Sequence, residues 1–476
     1  MLRIYQLTED KGSPVPYEVT LNGIPADLSE ARVSAIPFNT LWPGHQRPLN
    51  QTEISYFTGF ESDEKITVRV KSEQPFRRAV IRPLSARVKI TQTQDTATFV
   101  LERAGNYVLE LDDEHRCLQF FYNRVSDCVE EKGVSYFFGK GKHYPGLIRL
   151  KSGDRVYIDS EAVVYGSFLA KKAEDIRIFG GGVVDGSYEE RLTDACYEDD
   201  TKGNMRFYEC RNLRIEDVVF RNSANWCLSL FCCSDVKADR IKMVGQWRYN
   251  TDGVDIVNSQ DIRVSDSYLR VFDDVVTIKG IPPYRENDCR NIYIENCVLW
   301  CGWGRTCEVG IETCCERYQN IVFRNCDLIH NSAACLDIQN GDDAEIDGVC
   351  FENINVEYQS STMPEIFQAD DAQIYDGYGK THVPFLINID NHQYTTSFKE
   401  KIGYKEKAFG MIRNVLFRNI RVFSEENNFL PPVRVKSLDQ SVRFKDIRLE
   451  DIWVDGRKIE SIGELQTESD IELTLK

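Results

Sequence analysis

Asn212-Leu213-Arg214-Ile215-Glu216-Asp217 and Asp261-Ile262-Arg263-Val264-Ser265-Asp266 are copies of one pattern. Each runs Asn or Asp, an aliphatic residue, any residue, an apolar residue, any residue, then Asn or Asp. The pattern returns at Asn291-Ile292-Tyr293-Ile294-Glu295-Asn296, Asn320-Ile321-Val322-Phe323-Arg324-Asn325, Gly348-Val349-Cys350-Phe351-Glu352-Asn353, Asn414-Val415-Leu416-Phe417-Arg418-Asn419 and Asp446-Ile447-Arg448-Leu449-Glu450-Asp451. Starts at 212, 235, 261, 291, 320 and 348 lie 23, 26, 30, 29 and 28 residues apart. Two apolar residues alternating with polar ones make a short strand with one buried face. Such a strand cannot bury that face alone, but copies stacked at ~4.8 Å build a continuous apolar column and pair every backbone group. Asn and Asp at the ends suit tight turns, because they tolerate left-handed backbone. A leucine-rich repeat would carry more leucine and a helical stretch per repeat, and neither is evident. The period favours an all-β fold, a right-handed parallel β-helix, over a β-sandwich with accidental periodicity.

A length of 476 residues exceeds one ordinary globular core, so a solenoid with a second domain fits it. Residues 1–125 read differently from the repeat. Ile66-Thr67-Val68-Arg69-Val70, Ala79-Val80-Ile81-Arg82 and Ala97-Thr98-Phe99-Val100-Leu101 alternate between polar turns, which predicts a small antiparallel β-sandwich. Residues 126–476 form the β-helix, entered through the glycine-rich stretch after Tyr136. The repeat breaks at about 359–410, an insertion that contains Tyr375, Tyr378, His382 and His392.

Lys and Arg number 58 against 75 Asp and Glu, a net charge of −17. That charge repels phosphate backbones and anionic membranes, so neither nucleic acid nor membrane is an expected partner. The sixteen cysteines include no Cys-x-x-Cys, and no metal site is expected of them. The stretch Met1–Asp10 lacks the basic and apolar regions of a secretory signal, so the cysteines read as reduced interior fillers and the location as cytoplasmic.

The densest chemistry lies in Asn250-Thr251-Asp252 and in Phe272-Asp273-Asp274-Val275-Val276-Thr277-Ile278-Lys279-Gly280. Asp252 precedes Asp273 by 21 residues and Asp274 by 22, close to one coil, so the three carboxylates are expected side by side. Adjacent Asp residues in a regular strand point to opposite faces, so the chain must bend at the pair. Three packed carboxylates cannot all ionise freely. They supply an acid and a base from one residue type, as glycosidic bond cleavage requires. Turn capping is the competing role for any one of them.

These motifs resemble those of the polygalacturonase-like β-helix glycosidases, glycoside hydrolase families 28 and 49. Gly180-Gly181-Gly182-Val183-Val184-Asp185-Gly186 is similar to their early-coil glycine run, and the leading sandwich resembles the dextranase and isopullulanase side. The resemblance implies an inverting glycoside hydrolase. Asp273 would then be the general acid, with Asp252 and Asp274 positioning and deprotonating the water. Asn250 and Lys279 would line the subsite, and no metal or organic cofactor is implied.

Polygalacturonases also carry Gly-His-Gly and Arg-Ile-Lys motifs, both missing here. The following coils read Cys307-Glu308-Val309-Gly310-Ile311-Glu312-Thr313 and Leu336-Asp337-Ile338-Gln339, so acidic and amide groups stand where His, Arg and Lys are expected. Such groups suit the hydroxyls of neutral sugars better than a uronate. Glu308 and Glu312 are therefore candidate substrate contacts, with a solvated edge as the alternative. Trp247 and Trp303 are candidate stacking surfaces for a sugar ring, with Trp226 and Trp300 nearby and core packing as the alternative. The six histidines are scattered away from the carboxylates. Two rival functions stay open: a β-helix lyase or epimerase, and a glycan-binding solenoid without turnover. The expected partner is an oligosaccharide or polysaccharide, and the oligomeric state is not legible.

Overall fold

The computed structural model describes residues 2–7, 12, 14–35, 49, 52–125, 133–191, 203–359, 364–367, 376–381, 383–391, 410–425, 429–437 and 443–476. From Tyr136 the chain winds into a right-handed parallel β-helix whose strands join one large sheet network. The middle coils carry three strands, as in Val254–Val257, Gln260–Ser265 and Tyr268–Val271, and in later coils one long strand such as Glu345–Tyr358 serves the second and third sheets. The coils therefore stack into three parallel sheets around one apolar column.

The quoted repeat is the second sheet. Ile262, for example, pairs with Val236 on one side and Ile292 on the other. The flanking residues take the left-handed backbone expected of them, with φ of 57° at Asp261, 52° at Asp266, 55° at Asn291 and 57° at Asn296. Their side chains then bond from coil to coil. Asn320 Nδ2 donates to Asn291 Oδ1 at 2.9 Å, and Asn291 Nδ2 to Asp261 Oδ1 at 2.8 Å. A second ladder follows the other corner through Asn353, Asn325 and Asn296. The polar ends of the pattern thus satisfy themselves where the chain turns.

The glycine run has a steric cause. Cβ atoms at Gly180 and Gly182 would run into the backbone oxygens of Ile158 and Asp159 on the preceding coil. Cysteine fills corners inside the column. All fourteen cysteines among the described residues are free and nearly all are buried. Cys210, Cys233, Cys297 and Cys326 each point their thiol at a carbonyl two residues back.

The N-terminal domain is a sandwich of a six-stranded and a five-stranded sheet. Its pairings are antiparallel except one: Asp113–Asn123 runs parallel to Thr52–Ser62. A sequence reading of local hairpins misses that long-range pairing. The domain packs on the third sheet of the β-helix, with Phe57, Val108 and Phe121 against Val219, Val244 and Tyr268. Buried charges bridge the same interface. Arg82 Nε donates to Glu110 at 2.8 Å and also pairs with Glu357, and His330 Nε2 lies 2.5 Å from Glu110. The candidate site lies on the first sheet, whereas this packing is on the third.

One stretch differs from its sequence reading. Phe385–Asn391 is a regular strand of the first sheet, paired with Ala334–Asn340 and Pro432–Ser437, so the repeat resumes inside the stretch read as an insertion. Tyr375, His382 and His392 lie outside the described residues. Among the described residues no helix is long and apolar enough to cross a membrane.

Candidate active site

The first sheet sets the geometry. Leu228, Val254, Val276, Cys307 and Leu336 pair in one inward column, and Leu230, Ile256, Ile278, Val309 and Ile338 in the next. Between them, facing outward, stand Ser229, Asp255, Thr277, Glu308, Asp337 and Asn388. Just ahead of the strands the ladder continues through irregular backbone. Gly253 N donates to the carbonyl of Asp274, and Val275 N to that of Arg305. Asp252, Asp274 and Arg305 therefore occupy equivalent positions on three successive coils, as the one-coil offset predicts for the two aspartates.

Asp273 and Asp274 lie in a bend before the strand Val276–Gly280, which lets neighbouring residues serve one site. Gly304 backs onto both. A Cβ there would fall 2.6 Å from Asp273 Oδ1 and closer still to Asp274 Oδ1, so only glycine fits. Arg305 N donates to Asp274 Oδ1 at 2.9 Å. Asn250 Nδ2 donates to Asp273 Oδ2 at 3.3 Å, and Asn250 Oδ1 in turn accepts from Arg191 at 3.0 Å.

Lys279 is buried at the centre. Its Nζ lies 3.1 Å from Asp252, 3.1 Å from Asp255 and 4.0 Å from Asp274, and 4.3 Å from the centre of the Trp226 ring. Burial alone pushes a lysine down, but the carboxylates of Asp252 and Asp255 overcome it and hold the ammonium charged. Burial raises the Asp252 carboxyl to about 6, offset by Lys279 and reinforced by Asp274. Asp273 is raised well above its ordinary value by burial and by the charges of Asp252 and Asp274. Lys279 and Arg305 oppose that shift without cancelling it, so Asp273 favours its protonated form.

A second half of the site lies one coil on. Arg305 stands 3.7 Å from Asp274 and 3.8 Å from both Glu308 and Asp337. Glu308 is fully buried, which overturns the solvated-edge alternative, and burial with the nearby Asp274 charge raises its carboxyl well above the ordinary value. Asp337 is raised to about 7, chiefly by burial. Glu312 sits in a bulge, since Ile278 pairs with Val309 but Gly280 with Thr313. From there its charge acts on both Lys279 and Asp252.

The tryptophans divide. Trp303 is half-buried and lies on Phe272 at 5.8 Å and Tyr249 at 5.8 Å, beside Asp273. Trp247 does not join the cluster: its Nε1 donates to Asn222, Arg248 covers its ring at 5.3 Å, and it lines a groove against the sandwich. Trp300 packs on His330 at 4.0 Å in the domain interface. Arg305 and Gly304 were not singled out from the sequence, Asp255 was read there only as a turn cap, and Asp337 was quoted only within its acidic coil. Aligning the coils by their inward pairs would have found Asp255 and Asp337, because each stands between two such residues. Among the described residues no group of three or more His, Cys, Asp or Glu is arranged to hold a metal ion.

The fold is the right-handed parallel β-helix of the polygalacturonase-like glycosidases, and the resemblance read from the sequence holds. Residues 155–371 match the family model for glycosyl hydrolases family 28. The chain is 24% identical to a probable rhamnogalacturonase A of Aspergillus oryzae over 237 residues, covering 48% of each protein. It is 26% identical to an exopolygalacturonase of Oenothera organensis over 170 residues, covering 33% of this chain and 44% of that one. The chain thus spans less than half the length of these curated relatives. Among solved structures, Dex49A from Penicillium minioluteum superposes with a TM-score of 0.63 at 12% identity, covering 97% of this chain and 93% of that one. That likeness concerns the fold, and it takes in the leading sandwich as well as the β-helix.

Proposed function

We propose that the protein hydrolyses a glycosidic bond of an oligosaccharide or polysaccharide, with inversion. The observation that carries this is the pairing of unlike carboxylates on adjacent coils. Asp273 keeps its proton and suits the general acid. Asp252 and Asp274 flank Lys279 and suit the base that activates water. Asn250 orients Asp273, and Trp303 offers an aromatic face beside it. The family match over residues 155–371 supports the reading.

The sugar at the cleavage point is uncharged in this proposal. Lys279 lies against Asp252 and Asp255, and Arg305 against Asp274, Glu308 and Asp337, so each of these two cations already faces carboxyl groups of the protein. A uronate would meet an excess of carboxylate. The names of the two curated relatives, a rhamnogalacturonase and an exopolygalacturonase, support the opposite choice, so both substrate classes belong in the test. A reducing, cytoplasmic setting is part of the same proposal, supported by the buried free thiols.

The experiment is an incubation with dextran, pullulan, rhamnogalacturonan and polygalacturonate oligosaccharides, followed by NMR of the newly formed anomer. Release of the inverted anomer from a neutral glycan, abolished in Asp273→Asn, is the expected result. An ultraviolet-absorbing unsaturated product would instead mark a lyase, and turnover confined to polygalacturonate would overturn the neutral-sugar assignment.

A further inference from the structure

Away from the carboxylates, the early coils expose three tyrosines together. Tyr144 and Tyr165 stack at 4.9 Å with planes 9° apart, and Tyr188 meets Tyr165 edge-on at 5.2 Å. Tyr144 is 62% and Tyr188 72% exposed, among the most exposed large apolar side chains among the described residues. Water-facing rings clustered in this way mark a recognition surface.

Tyr165 also forms one wall of a groove of about 290 Å³ between the β-helix and the sandwich, which Trp247 lines as well. The charges around that groove balance. Asp27, Glu30 and Asp185 face Arg32, Arg221 and Arg248. Arg221 donates to Asp185 at 2.5 Å and to the carbonyl of Glu30 at 2.9 Å, and Arg248 donates to the carbonyls of Ser187 and Glu189. A balanced polar groove beside flat aromatic faces suits a polyhydroxylated, uncharged ligand: hydroxyls bond the polar groups while ring C–H faces stack on the tyrosines.

The same segment leads to the cleavage cluster. Tyr188 is followed three residues later by Arg191, a span of at most ~11 Å. Arg191 donates to the carbonyl of Tyr249 at 3.1 Å and to Asn250 Oδ1, and Asn250 holds Asp273.

We propose that Tyr144, Tyr165 and Tyr188, with the adjoining groove, form a second carbohydrate-binding site that holds an uncharged stretch of glycan away from the cleavage point. The proposal rests on the proposed function only in taking the ligand to be a glycan. It explains why a sandwich docks on these coils: the domain supplies the far wall of a path for a long chain.

The test is affinity electrophoresis in native gels containing dextran, pullulan or polygalacturonate, run with Asp273→Asn to stop hydrolysis. The comparison is the same chain with Tyr144→Ala and Tyr188→Ala, both at exposed positions, with Tm confirming the fold. The expected result is retardation by a neutral polymer and at least a fivefold loss of apparent affinity in the tyrosine variant. Equal retardation of the two chains overturns the site, as does no retardation by either neutral polymer. A shift in sedimentation between the two chains without any change in gel retardation assigns the tyrosines to a protein contact and also overturns it. Tyrosine-dependent retardation in a protein that turns over no glycan keeps this site and removes the hydrolase reading instead.

Discussion

Asp252 and Lys279 form an ion pair 3.1 Å long that is almost wholly out of water, on neighbouring coils of the first sheet. Lys279 shares itself with Asp255 at the same distance, so one cation sets the charge of two buried carboxylates. Removing it leaves Asp252 uncompensated and takes the cation from Asp255, which burial already pushes well above the ordinary carboxylate range. Lys279→Met is expected to cost about 3–5 kcal/mol of stability, read as a lowered urea midpoint. In Lys279→Met combined with Asp255→Asn, part of that loss should return. An additive loss in the double variant would show that the two do not interact. Because Lys279 pulls Asp252 down from the value burial alone would give, any activity left in Lys279→Met should have its acidic limb moved to higher pH.

Asp273 is held toward its protonated form beside Asp252 and Asp274. Asp273→Asn removes that proton without changing shape, so kcat should fall by about 10²–10⁴ while ground-state binding stays near the parent value. Binding is read by titration calorimetry on the best oligosaccharide found. A variant that keeps most of its kcat would move the acid role to another residue.

Gly304 is a purely steric prediction. A methyl group there collides with the carboxyl oxygens of both Asp273 and Asp274. Gly304→Ala should therefore lower kcat about a hundredfold or more, a displacement effect on positioned groups. Tm should move by only a few degrees, roughly the range of a 1 kcal/mol change. Wild-type kcat in this variant would mean the carboxylates need no fixed position.

How much of this was legible depends on whether the signal was local. The clustering of Asn250, Asp252, Asp273, Asp274 and Lys279 was legible because short motifs and a one-coil offset fix their places. Arg305 was missed because it opens its strand before the inward pair, and its place appears only when the coil is laid on Asp274. Trp247 was misplaced because nearness in sequence does not give direction: the chain between Trp247 and Asp252 turns a corner of the solenoid. The parallel pairing of Asp113–Asn123 with Thr52–Ser62 joins strands far apart in the chain, and no local alternation encodes it. Phe385–Asn391 was hidden by the long stretches around it.

The buried carboxylates make stability depend on pH, with a definite sign. Asp252 is raised to about 6, and Asp337 and Glu357 each to about 7, all chiefly by burial. Unfolded, such groups titrate near about 4. They bind protons more tightly when folded, so the stability they contribute is complete below about pH 4 and is lost as pH rises through about 6 to 7. Glu110 opposes them on the acid side. Though burial pushes it up, His330 and Arg82 hold it at about 2, so its contribution is lost as pH falls from about 4 to about 2. Tm measured by scanning fluorimetry should therefore be higher near about pH 5 than near about pH 8. A Tm that climbs over that interval would contradict the ionisation pattern of the site.

The last prediction concerns the choice of sugar. Arg305 is held between Asp274, Glu308 and Asp337, and the two outer carboxylates are the ones that the proton-transfer chemistry does not use. Glu308→Gln and Asp337→Asn leave Asp274 as the guanidinium's only carboxylate partner in this trio, and above about pH 7 they also remove the charge of Asp337. Arg binds carboxylates by charge-assisted hydrogen bonds, so the released group becomes a partner for a uronate. The double variant should gain roughly tenfold in affinity for galacturonate oligosaccharides, about 1.4 kcal/mol. That gain should shrink at high salt, whereas binding of neutral oligosaccharides should not acquire a salt dependence. An unchanged preference would show that the acidic column does not govern which sugar enters, and the argument from engaged cations to an uncharged substrate would fail with it.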